Sequence, residues 1–392
     1  MALAALHARV PLGMRLGLGP MTAACARAGN PETSFAAVHV GGTNGKGSTA
    51  AMVESIARAA GIRTGLYTSP HLVRFAERIR VGGDPIDDAT LVSVVEDALA
   101  LGPDLSFFEA ATLAAFLAFR AAAVELAVIE VGIGGRLDAT NVIGPPRCAA
   151  ITSVALDHQD LLGDTLDAIA REKASIAKPG APLVLGEIPE EARRAVVEVA
   201  SAAGCARIVT AEPLPDGVAV GLAGPHQRRN AAVARTVARE IGLTDDAIAR
   251  GLRAASWPGR LESIVTPGGR FVLDGAHNPE GAVALARALE VEPPGAIVFG
   301  ALGDKDWRGM LAALAAVPAP RFYVAPGGRT PADPQALAAA HPGTPCASLE
   351  EGLALARCAA GEGTVVICGS LYLVGAARAR LLGLTPDAIV AL

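Results

Sequence analysis

The sequence contains no run of basic residues and no paired cysteines. Its net charge is -5 and its pI is near 5.9, which argues against a nucleic-acid-binding surface. The six cysteines are scattered, without C-x-x-C spacing or a secretory context. We therefore predict reduced thiols in a cytoplasmic protein, with neither disulfides nor a zinc site.

Long uncharged apolar segments are also missing. Residues 1–18 have no extended apolar core and no small-residue cleavage site, which argues against a signal peptide. The most apolar window, 107–131, is interrupted by charged residues such as Glu109 and Arg120. It therefore predicts a buried helix followed by a strand, and no interaction with a membrane.

The chain is long enough for two domains. It has 392 residues, of which 51% are hydrophobic and 19% are charged, so there is ample apolar material for more than one core. The regular pattern breaks at Trp257-Pro258-Gly259-Arg260, and we predict domains at 1–257 and 258–392.

Strand and helix patterns alternate along both predicted domains. Short apolar runs predict strands at 35–40, 63–68, 126–131, 149–154, 182–185, 271–273, 295–300, 321–324 and 364–368. Helical spacing predicts helices at 48–60, 87–101, 108–123, 165–178, 190–203, 280–289, 308–316, 334–340 and 349–360. The proline-rich segment 318–345 is interpreted as loops around the strand and the helix predicted within it. This alternation predicts an α/β fold with a mainly parallel sheet, followed by a smaller α/β unit.

A glycine-rich turn joins the first predicted strand to the first predicted helix. It lies within 39–48, H-V-G-G-T-N-G-K-G-S, and a strand, a glycine loop and a helix in this order form a phosphate-binding geometry. The glycines allow backbone N–H groups to converge on an anion, and Lys46 adds a positive charge. The alternative is a plain strand-to-helix turn, since Gly47 separates the lysine from the hydroxyl of Ser48.

Glu130 closes the apolar run V-I-E-V, before Gly132-Ile133-Gly134-Gly135-Arg136. Because ligands of open α/β sheets bind at the carboxyl ends of strands, this carboxylate is expected beside the phosphate loop. There it could hold Mg²⁺ against a nucleotide. The alternative, a surface glutamate at a turn, fits poorly with such apolar neighbours.

Three further residues are ambiguous from their patterns alone. Ser69 ends the second predicted strand and is either a metal ligand or a turn cap. His158 follows another predicted strand and is either a ligand or a satisfied structural residue. Lys173 lies on a predicted helix and would ordinarily be a solvated side chain.

Polar loops also follow apolar elements in the second half of the chain. The segment 274–279, D-G-A-H-N-P, follows a predicted strand, and Gly224-Pro225-His226-Gln227 with Asn230 opens a helix. Such residues favour turns as well as ligand contacts. Strand-end loops in two domains predict a ligand in the cleft between them.

A series of segments stands in the order of one known family over nearly the whole chain. They are G-T-N-G-K-G-S, T-S-P-H-L, F-F-E-A-A-T, E-V-G-I-G-G-R-L-D-A-T-N, L-D-H, R-E-K, G-P-H-Q-R-R-N-A, W-P-G-R-L-E, D-G-A-H-N-P and G-S-L-Y-L-V-G. On these motifs the sequence resembles the folylpolyglutamate synthase/dihydrofolate synthase family of the Mur ligase superfamily. The resemblance implies a P-loop domain of the Mur ligase central-domain type, followed by a smaller Rossmann-like carboxyl-terminal domain.

The resemblance also implies ATP-dependent amide-bond formation to L-glutamate, with dihydropteroate or reduced folates as acceptors. ATP would phosphorylate the acceptor's carboxylate, the amine of glutamate would attack the acyl phosphate, and phosphate would leave. Lys46, the loop N–H groups and Mg²⁺ would offset the repulsion between the anions. Two Mg²⁺ sites, a potassium ion and a monomeric protein are implied as well.

Residue roles are implied by the matching motifs. The triphosphate would be bound by Asn44, Gly45, Lys46, Gly47 and Ser48. Metal would be ligated by Ser69, Glu130, His158 and Lys173, the last matching a lysine that is carbamylated in the family. ATP would also be bound or positioned by Asn230, Arg260, Asp274 and His277. The pterin-side pocket would be lined by Gly17, Leu18, Phe107, Phe108, Leu137 and Asp138. The catalytic set would be Lys46, His158 and Lys173.

One segment departs from the family pattern. After Leu16-Gly17-Leu18 the family usually continues with an acidic residue and an arginine, whereas Gly19-Pro20-Met21 stands here. The resemblance therefore supports the ATP site more fully than dihydropteroate recognition.

Two other functions are weighed against this one. A cell-wall ligase of the Mur type would carry a nucleotide-sugar domain before the phosphate loop, and the segment before Gly42 is too short for it. A non-catalytic nucleotide-binding regulator would be expected to lose some of the metal-site residues. All of those residues are present.

Overall fold

The computed structural model describes residues 2–10 and 17–387, which form two compact units. The first unit comprises residues up to 71, 75–221 and 227–256, and the second comprises 72–74, 222–226 and 257–387. The main division therefore follows Ser256. Within the described ranges, no helix is long and apolar enough to cross a membrane.

The first unit is built on an eight-stranded sheet. Its strands are β1 (Ala36–Gly41), β2 (Thr64–Tyr67), β3 (Ile79–Val81), β4 (Asp84–Pro85), β5 (Leu126–Glu130), β6 (Cys148–Ile151), β7 (Pro182–Leu185) and β8 (Arg207–Thr210). Their spatial order is β4-β3-β2-β5-β1-β6-β7-β8. The β2–β3 and β3–β4 pairs are antiparallel and the other pairs are parallel. The central strands β1 and β5 place Val40 opposite Glu130.

Helices precede, connect and follow these strands. They are α1 (Ala2–His7), α2 (Gly19–Arg27), α3 (Lys46–Ala59), α4 (Asp88–Leu101), α5 (Phe107–Ala121), α6 (Gln159–Leu162), α7 (Leu166–Ala174), α8 (Glu190–Ala202), α9 (Pro225–Glu240) and α10 (Asp245–Ala254). Ser106 and Glu109 form a capping box that fixes the start of α5. Most of α5 and all of β5 are buried, as the apolar window 107–131 predicts.

Several predicted elements of this unit have different ends, for local reasons. The helix predicted at 165–178 ends at Ala174. Pro179 disfavours helical backbone at Lys178, the last residue of the predicted helix. The strand predicted at 149–154 ends at Ile151, because Thr152 and Ser153 bond the loop that follows β1. The β3–β4 hairpin, β8, α2 and α10 were not predicted. The three strands have only two to four residues each, too few to show a clear hydrophobic period.

The second unit contains a six-stranded sheet. Its strands are β9 (Glu262–Thr266), β10 (Gly269–Leu273), β11 (Ala296–Phe299), β12 (Arg321–Tyr323), β13 (Thr344–Pro345) and β14 (Val365–Cys368). Their order is β13-β12-β11-β14-β10-β9, with β9–β10 antiparallel and the other pairs parallel. Its helices are α11 (Pro279–Val291), α12 (Trp307–Leu314), α13 (Pro334–Ala340), α14 (Leu349–Ala360) and α15 (Leu371–Leu382).

Apolar clusters cover both faces of this second sheet. Alternate residues of a strand point to opposite faces. Phe299 of β11 accordingly packs in a cluster with α11 and α12, whereas Val298 belongs to a cluster with α14 and α15. Pro345, which we predicted to lie in a loop, belongs to the edge strand β13 opposite Tyr323. An edge position tolerates proline because the missing N–H is not needed on the open side of the strand.

Candidate active site

A glycine turn joins β1 to α3 in the first unit. Gly42 has a φ of 142° and Gly45 a φ of 84°, a region that favours glycine. A Cβ on Gly42 would lie 2.0 Å from Thr152 Oγ1, and one on Gly45 would lie 2.3 Å from Asn230 Oδ1. Both backbone conformation and crowding therefore require glycine at these two positions.

The helix after this turn starts at Lys46, two residues earlier than we predicted. Lys46, Gly47 and Ser48 thus form its first turn, whose amides have no intrahelical acceptor and favour anions. The Lys46 ammonium donates to the carbonyl oxygens of Gly42 and Thr43, each at 3.1 Å. A positive charge and helix N–H groups therefore meet at one turn, as a phosphate-binding loop requires.

Residues that follow β6 hold the loop in place. The Thr43 amide donates to the Ser153 oxygen at 2.9 Å, and the Asn44 amide donates to Ser153 Oγ at 2.9 Å. In return, Thr152 Oγ1 donates to the Asn44 oxygen at 2.6 Å. The loop is therefore shaped before any ligand binds.

Two side chains of α9 contact the loop and its helix. Gln227, only 1% exposed, donates from Nε2 to Ser48 Oγ at 3.2 Å and accepts from Asn230 Nδ2 at 2.9 Å. Asn230 in turn packs against Gly45. Gln227 was not among our site residues, although it stands in the segment G-P-H-Q-R-R-N-A that we had singled out.

Glu130 lies at the carboxyl end of the central strand β5 and is 5% exposed. The alternative of a surface glutamate is therefore wrong. Its Oε2 accepts a hydrogen bond of 3.0 Å from the Ser69 amide, which brings these two predicted ligands together. The register of β1 with β5 places Glu130 next to the strand that leads into the phosphate loop.

Lys173 is buried at 4% exposure, contrary to the ordinary expectation for a lysine on a helix. Its Nζ donates to the Gly42 oxygen at 3.1 Å, so α7 delivers it to the phosphate loop. Burial, followed by the nearby charge of Lys46, lowers the pKa of Lys173 to about 7. A substantial fraction of this amine is consequently neutral near neutral pH.

His158 lies farther from its strand than we predicted. β6 ends at Ile151, and His158 follows as the left-handed residue that precedes α6. Its side chain is 37% exposed, and Nε2 lies 4.0 Å from Asp157 Oδ2. Exposure leaves the imidazole accessible to a ligand.

The loop between β5 and β6 is organised by Asp138. Asp138 Oδ2 accepts from the amides of Gly132 and Ile133 at 3.0 Å, and Oδ1 accepts from the amide and hydroxyl of Thr140. Burial raises the pKa of Asp138, while these four hydrogen bonds act in the opposite direction. Leu137, beside it, remains partly exposed.

The other predicted pocket residues fall into different surroundings. Phe108 lies against the same loop, since a Cβ on Gly132 would come within 2.6 Å of its ring. Phe107 is 2% exposed and lies under the Arg78 guanidinium, at 5.3 Å. Gly17 and Leu18 lead into α2, and Leu16 of the same motif lies outside the described residues.

The second unit brings Arg260, Asp274 and His277 together at the carboxyl end of β10. Asp274 is 5% exposed and accepts from the amides of Leu261 and Ala276 at 3.0 and 2.9 Å. His277 Nδ1 lies 2.8 Å from the Gly275 oxygen, and a Cβ on Gly275 would come within 2.1 Å of Arg260 Nη1. A side chain at position 275 would therefore require the Arg260 guanidinium to move.

The donor set suits a cation that is shared with phosphates. Among the described residues, no group of three His, Cys, Asp or Glu side chains could hold a metal ion alone. Glu130 offers a buried carboxylate oxygen beside Ser69, next to a loop built for an anion. Oxygen ligands completed by phosphate are what Mg²⁺ prefers.

The chain matches two family models, which describe a Mur ligase middle domain at residues 40–182 and a Mur ligase, glutamate ligase domain at residues 259–371. It is 39% identical to the folylpolyglutamate synthase of Lacticaseibacillus casei over 91% of this chain and 92% of that protein. It is 36% identical to the Escherichia coli dihydrofolate synthase/folylpolyglutamate synthase over 92% of this chain and 90% of that protein.

Solved structures give a similar result. Escherichia coli FolC in complex with DHPP and ADP superposes with a TM-score of 0.87 at 31% identity, covering 97% of this chain and 98% of that one. A bifunctional folylpolyglutamate synthase/dihydrofolate synthase with Mn, AMPPNP and L-glutamate bound superposes with a TM-score of 0.87 at 33% identity, covering 97% of this chain and 98% of that one.

Proposed function

Because this chain belongs to the folylpolyglutamate synthase/dihydrofolate synthase family of Mur ligases, we propose how its site residues carry out glutamate ligation. The chain is an ATP-dependent ligase that joins L-glutamate to folates and uses a divalent metal ion. The observation that carries the proposal is the meeting of Lys46 and Lys173 at the Gly42 carbonyl, beside the strand that ends in Glu130.

The phosphate loop binds the triphosphate of ATP. The first amides of α3, at Lys46, Gly47 and Ser48, donate to phosphate oxygens, and the Lys46 ammonium leaves its carbonyl partners to follow them. Gly45 lets the backbone approach closely. Asn44 contributes through its side chain, since its amide is already bonded to Ser153.

The divalent ion would be held by the Ser69 hydroxyl, Glu130 and His158, with phosphate oxygens completing its ligands. When bound, it screens the phosphate charges and polarises the transferred phosphoryl group. Burial of Glu130 and the contact with the Ser69 amide support this assignment, because they fix one carboxylate oxygen beside the loop.

Lys173 carries a carbamate in the active enzyme. Its neutral amine adds to CO₂, a proton leaves the nitrogen, and the product is an anion able to help hold a second Mg²⁺. The lowered pKa and the approach of Nζ to the phosphate loop support this step. An intact-mass measurement in bicarbonate buffer would detect the added CO₂.

Chemistry then proceeds in two displacements. The acceptor's carboxylate oxygen attacks the γ-phosphorus of ATP and ADP leaves, giving an acyl phosphate. The amine of L-glutamate attacks the acyl carbon, the C–O bond to phosphate breaks, and the nitrogen loses a proton. Lys46 balances the charge of the transferred phosphoryl group.

Further ATP contacts are proposed for residues outside the phosphate loop. We assign Arg260, Asp274 and His277 to ATP because they converge at one strand end, and Asn230 because it packs against Gly45. The acceptor's pterin lies near Gly17, Leu18, Phe107, Phe108, Leu137 and Asp138. Leu18, Phe108 and Leu137 are the partly exposed apolar side chains of that set, and the aromatic ring of Phe108 is suited to stacking.

The test is product formation from MgATP and L-glutamate, with dihydropteroate in one arm and tetrahydrofolate in the other. Glutamylated product in both arms makes the enzyme bifunctional, and product in the second arm alone makes it a polyglutamate extender. Glutamate-independent ATP turnover would favour a nucleotide-binding regulator, and activity on a nucleotide-sugar peptide would favour a cell-wall ligase.

We also propose a cytoplasmic monomer that binds no nucleic acid, in line with its six free cysteines and its net charge of -5. Light scattering tests whether the protein is a monomer, and cell fractionation tests whether it is cytoplasmic. Replacement of potassium by sodium salts tests whether K⁺ is required.

A further inference from the structure

A buried histidine of the central strand β1 stands behind the loop that joins β5 to β6. His39 is fully buried, and its Nε2 lies 2.8 Å from the hydroxyl of Thr140. Thr140 is fully buried as well, and its hydroxyl also lies within hydrogen-bond distance of Asp138 Oδ1. A chain of three polar side chains therefore runs from the interior of the sheet to the loop.

The carboxylate fixes the direction of these hydrogen bonds. Asp138 accepts backbone N–H groups on both oxygens, so it is an acceptor towards Thr140 too. The single hydroxyl hydrogen of Thr140 goes to Asp138, and its lone pair accepts from His39. His39 must then be the neutral tautomer with hydrogen on Nε2.

The second ring nitrogen agrees with this assignment. His39 Nδ1 is buried without a hydrogen-bond partner among the described residues. With hydrogen on Nε2, Nδ1 is the bare nitrogen, and no N–H of the ring is left without an acceptor. Burial, followed by the charge of Lys178, lowers the pKa of His39 to about 3, so the ring stays neutral at physiological pH.

The loop is attached to the segment that follows α7 by separate contacts. Lys178 Nζ donates to the Asn141 oxygen at 3.0 Å, and Asn141 Nδ2 donates to the Ser175 oxygen at 3.3 Å. His39 instead attaches the loop to β1, the strand that continues into Gly42 and the phosphate loop. It therefore ties the loop carrying Asp138 to the element that positions phosphate.

We propose that His39 is a positioning residue that acts through Thr140 to hold Asp138 and the loop of residues 131–142 in register with the phosphate loop. Correct register presents the acceptor's carboxylate to the γ-phosphate of ATP. Asp138 in this role organises the loop and does not bind the pterin directly, because its oxygens are occupied by donors of its own loop. The inference rests on the proposed placement of the acceptor beside Leu137.

Two pairs of variants test it. Thr140→Val and His39→Leu remove the donors while keeping similar volume, whereas Thr140→Ser and His39→Gln keep a donor in reach. We expect Thr140→Val to raise the KM for the folate acceptor on the order of tenfold, the loss typical of a hydrogen bond to a charged group, and His39→Leu to raise it by about fivefold, as for a neutral hydrogen bond. The KM for ATP should stay within about twofold in both variants. The conservative variants should recover most of this loss.

The outcomes separate the inference from the proposed function. An unchanged acceptor KM in folded Thr140→Val, or an equal rise in both KM values, would overturn the positioning role. A wild-type enzyme that glutamylates neither dihydropteroate nor tetrahydrofolate would instead overturn the proposed function. If His39→Leu does not fold, the isosteric Thr140→Val decides alone.

Discussion

Lys46 and Lys173 donate to the same oxygen, the carbonyl of Gly42, each at 3.1 Å. The two lysines come from different helices, and two like charges so close together disfavour the protonated form of the more buried one. The pKa of Lys173 is lowered mainly by burial, and the charge of Lys46 lowers it further. A neutral amine beside the phosphate loop is the chemical form from which a carbamate is made.

Lys173→Ala should lose most activity and recover part of it when short carboxylic acids such as formate or acetate are added. The free acid would occupy the vacated space and replace the carbamate's negative charge. Initial rates measured against acid concentration check this. Lys173→Met is the matched control, since its side chain fills the space and should not be rescued. Equal rates with and without acid in Lys173→Ala would argue against a carbamate.

Glu130→Ala should lower kcat by about a hundredfold or more, by removing a ligand of the divalent ion. The free energy of unfolding should fall by about 1.5–3 kcal/mol, the size of the lost hydrogen bond from the Ser69 amide to a carboxylate. Steady-state rates against Mg²⁺ concentration and urea unfolding measure the two effects. Glu130→Gln keeps the side chain's shape and the bond to Ser69, so it should match the alanine variant in activity. Wild-type-like turnover in both would remove Glu130 from the site.

Gly45→Ala should raise the KM for ATP and destabilise the fold by roughly 1–3 kcal/mol. The added Cβ would lie 2.3 Å from Asn230 Oδ1 on a residue with a φ of 84°. Gly144→Ala is the control, because its Cβ would meet no atom within 4 Å. Nucleotide titration and thermal melting compare the pair. Similar behaviour of the two variants would show that the loop is not as tightly constrained as its geometry indicates.

The stability of the protein should depend on His39 between pH 3 and pH 6.5. The folded pKa is about 3 and the ordinary value is 6.5, so in this window the unfolded chain binds the extra proton. Stability is therefore fully present above pH 6.5 and falls with acid, by about 1.4 kcal/mol per pH unit within the window. Urea unfolding of the wild type and His39→Gln at several pH values isolates this dependence from that of His71, whose pKa is lowered in the same direction. A constant difference between the two proteins would contradict it.

The sequence by itself determined the local features of this protein. Strand and helix alternation, the glycine turn before Lys46 and the carboxylate at the end of an apolar strand are all visible in short windows. Each depends on periodicity or on the backbone freedom of glycine. Family motifs implied roles for residues such as His158, whose own sequence pattern is ambiguous.

Only the tertiary structure decided which distant residues meet. Lys173 and Gly42 are 131 positions apart, Gln227 and Ser48 are 179 apart, and His39 and Thr140 are 101 apart. A hydrogen bond between such residues leaves no periodic trace in the sequence, because each side chain is fixed by the packing of a different element. Burial is likewise a property of the assembled sheet, and it is mainly burial that lowers the pKa of Lys173 to about 7 at the phosphate loop.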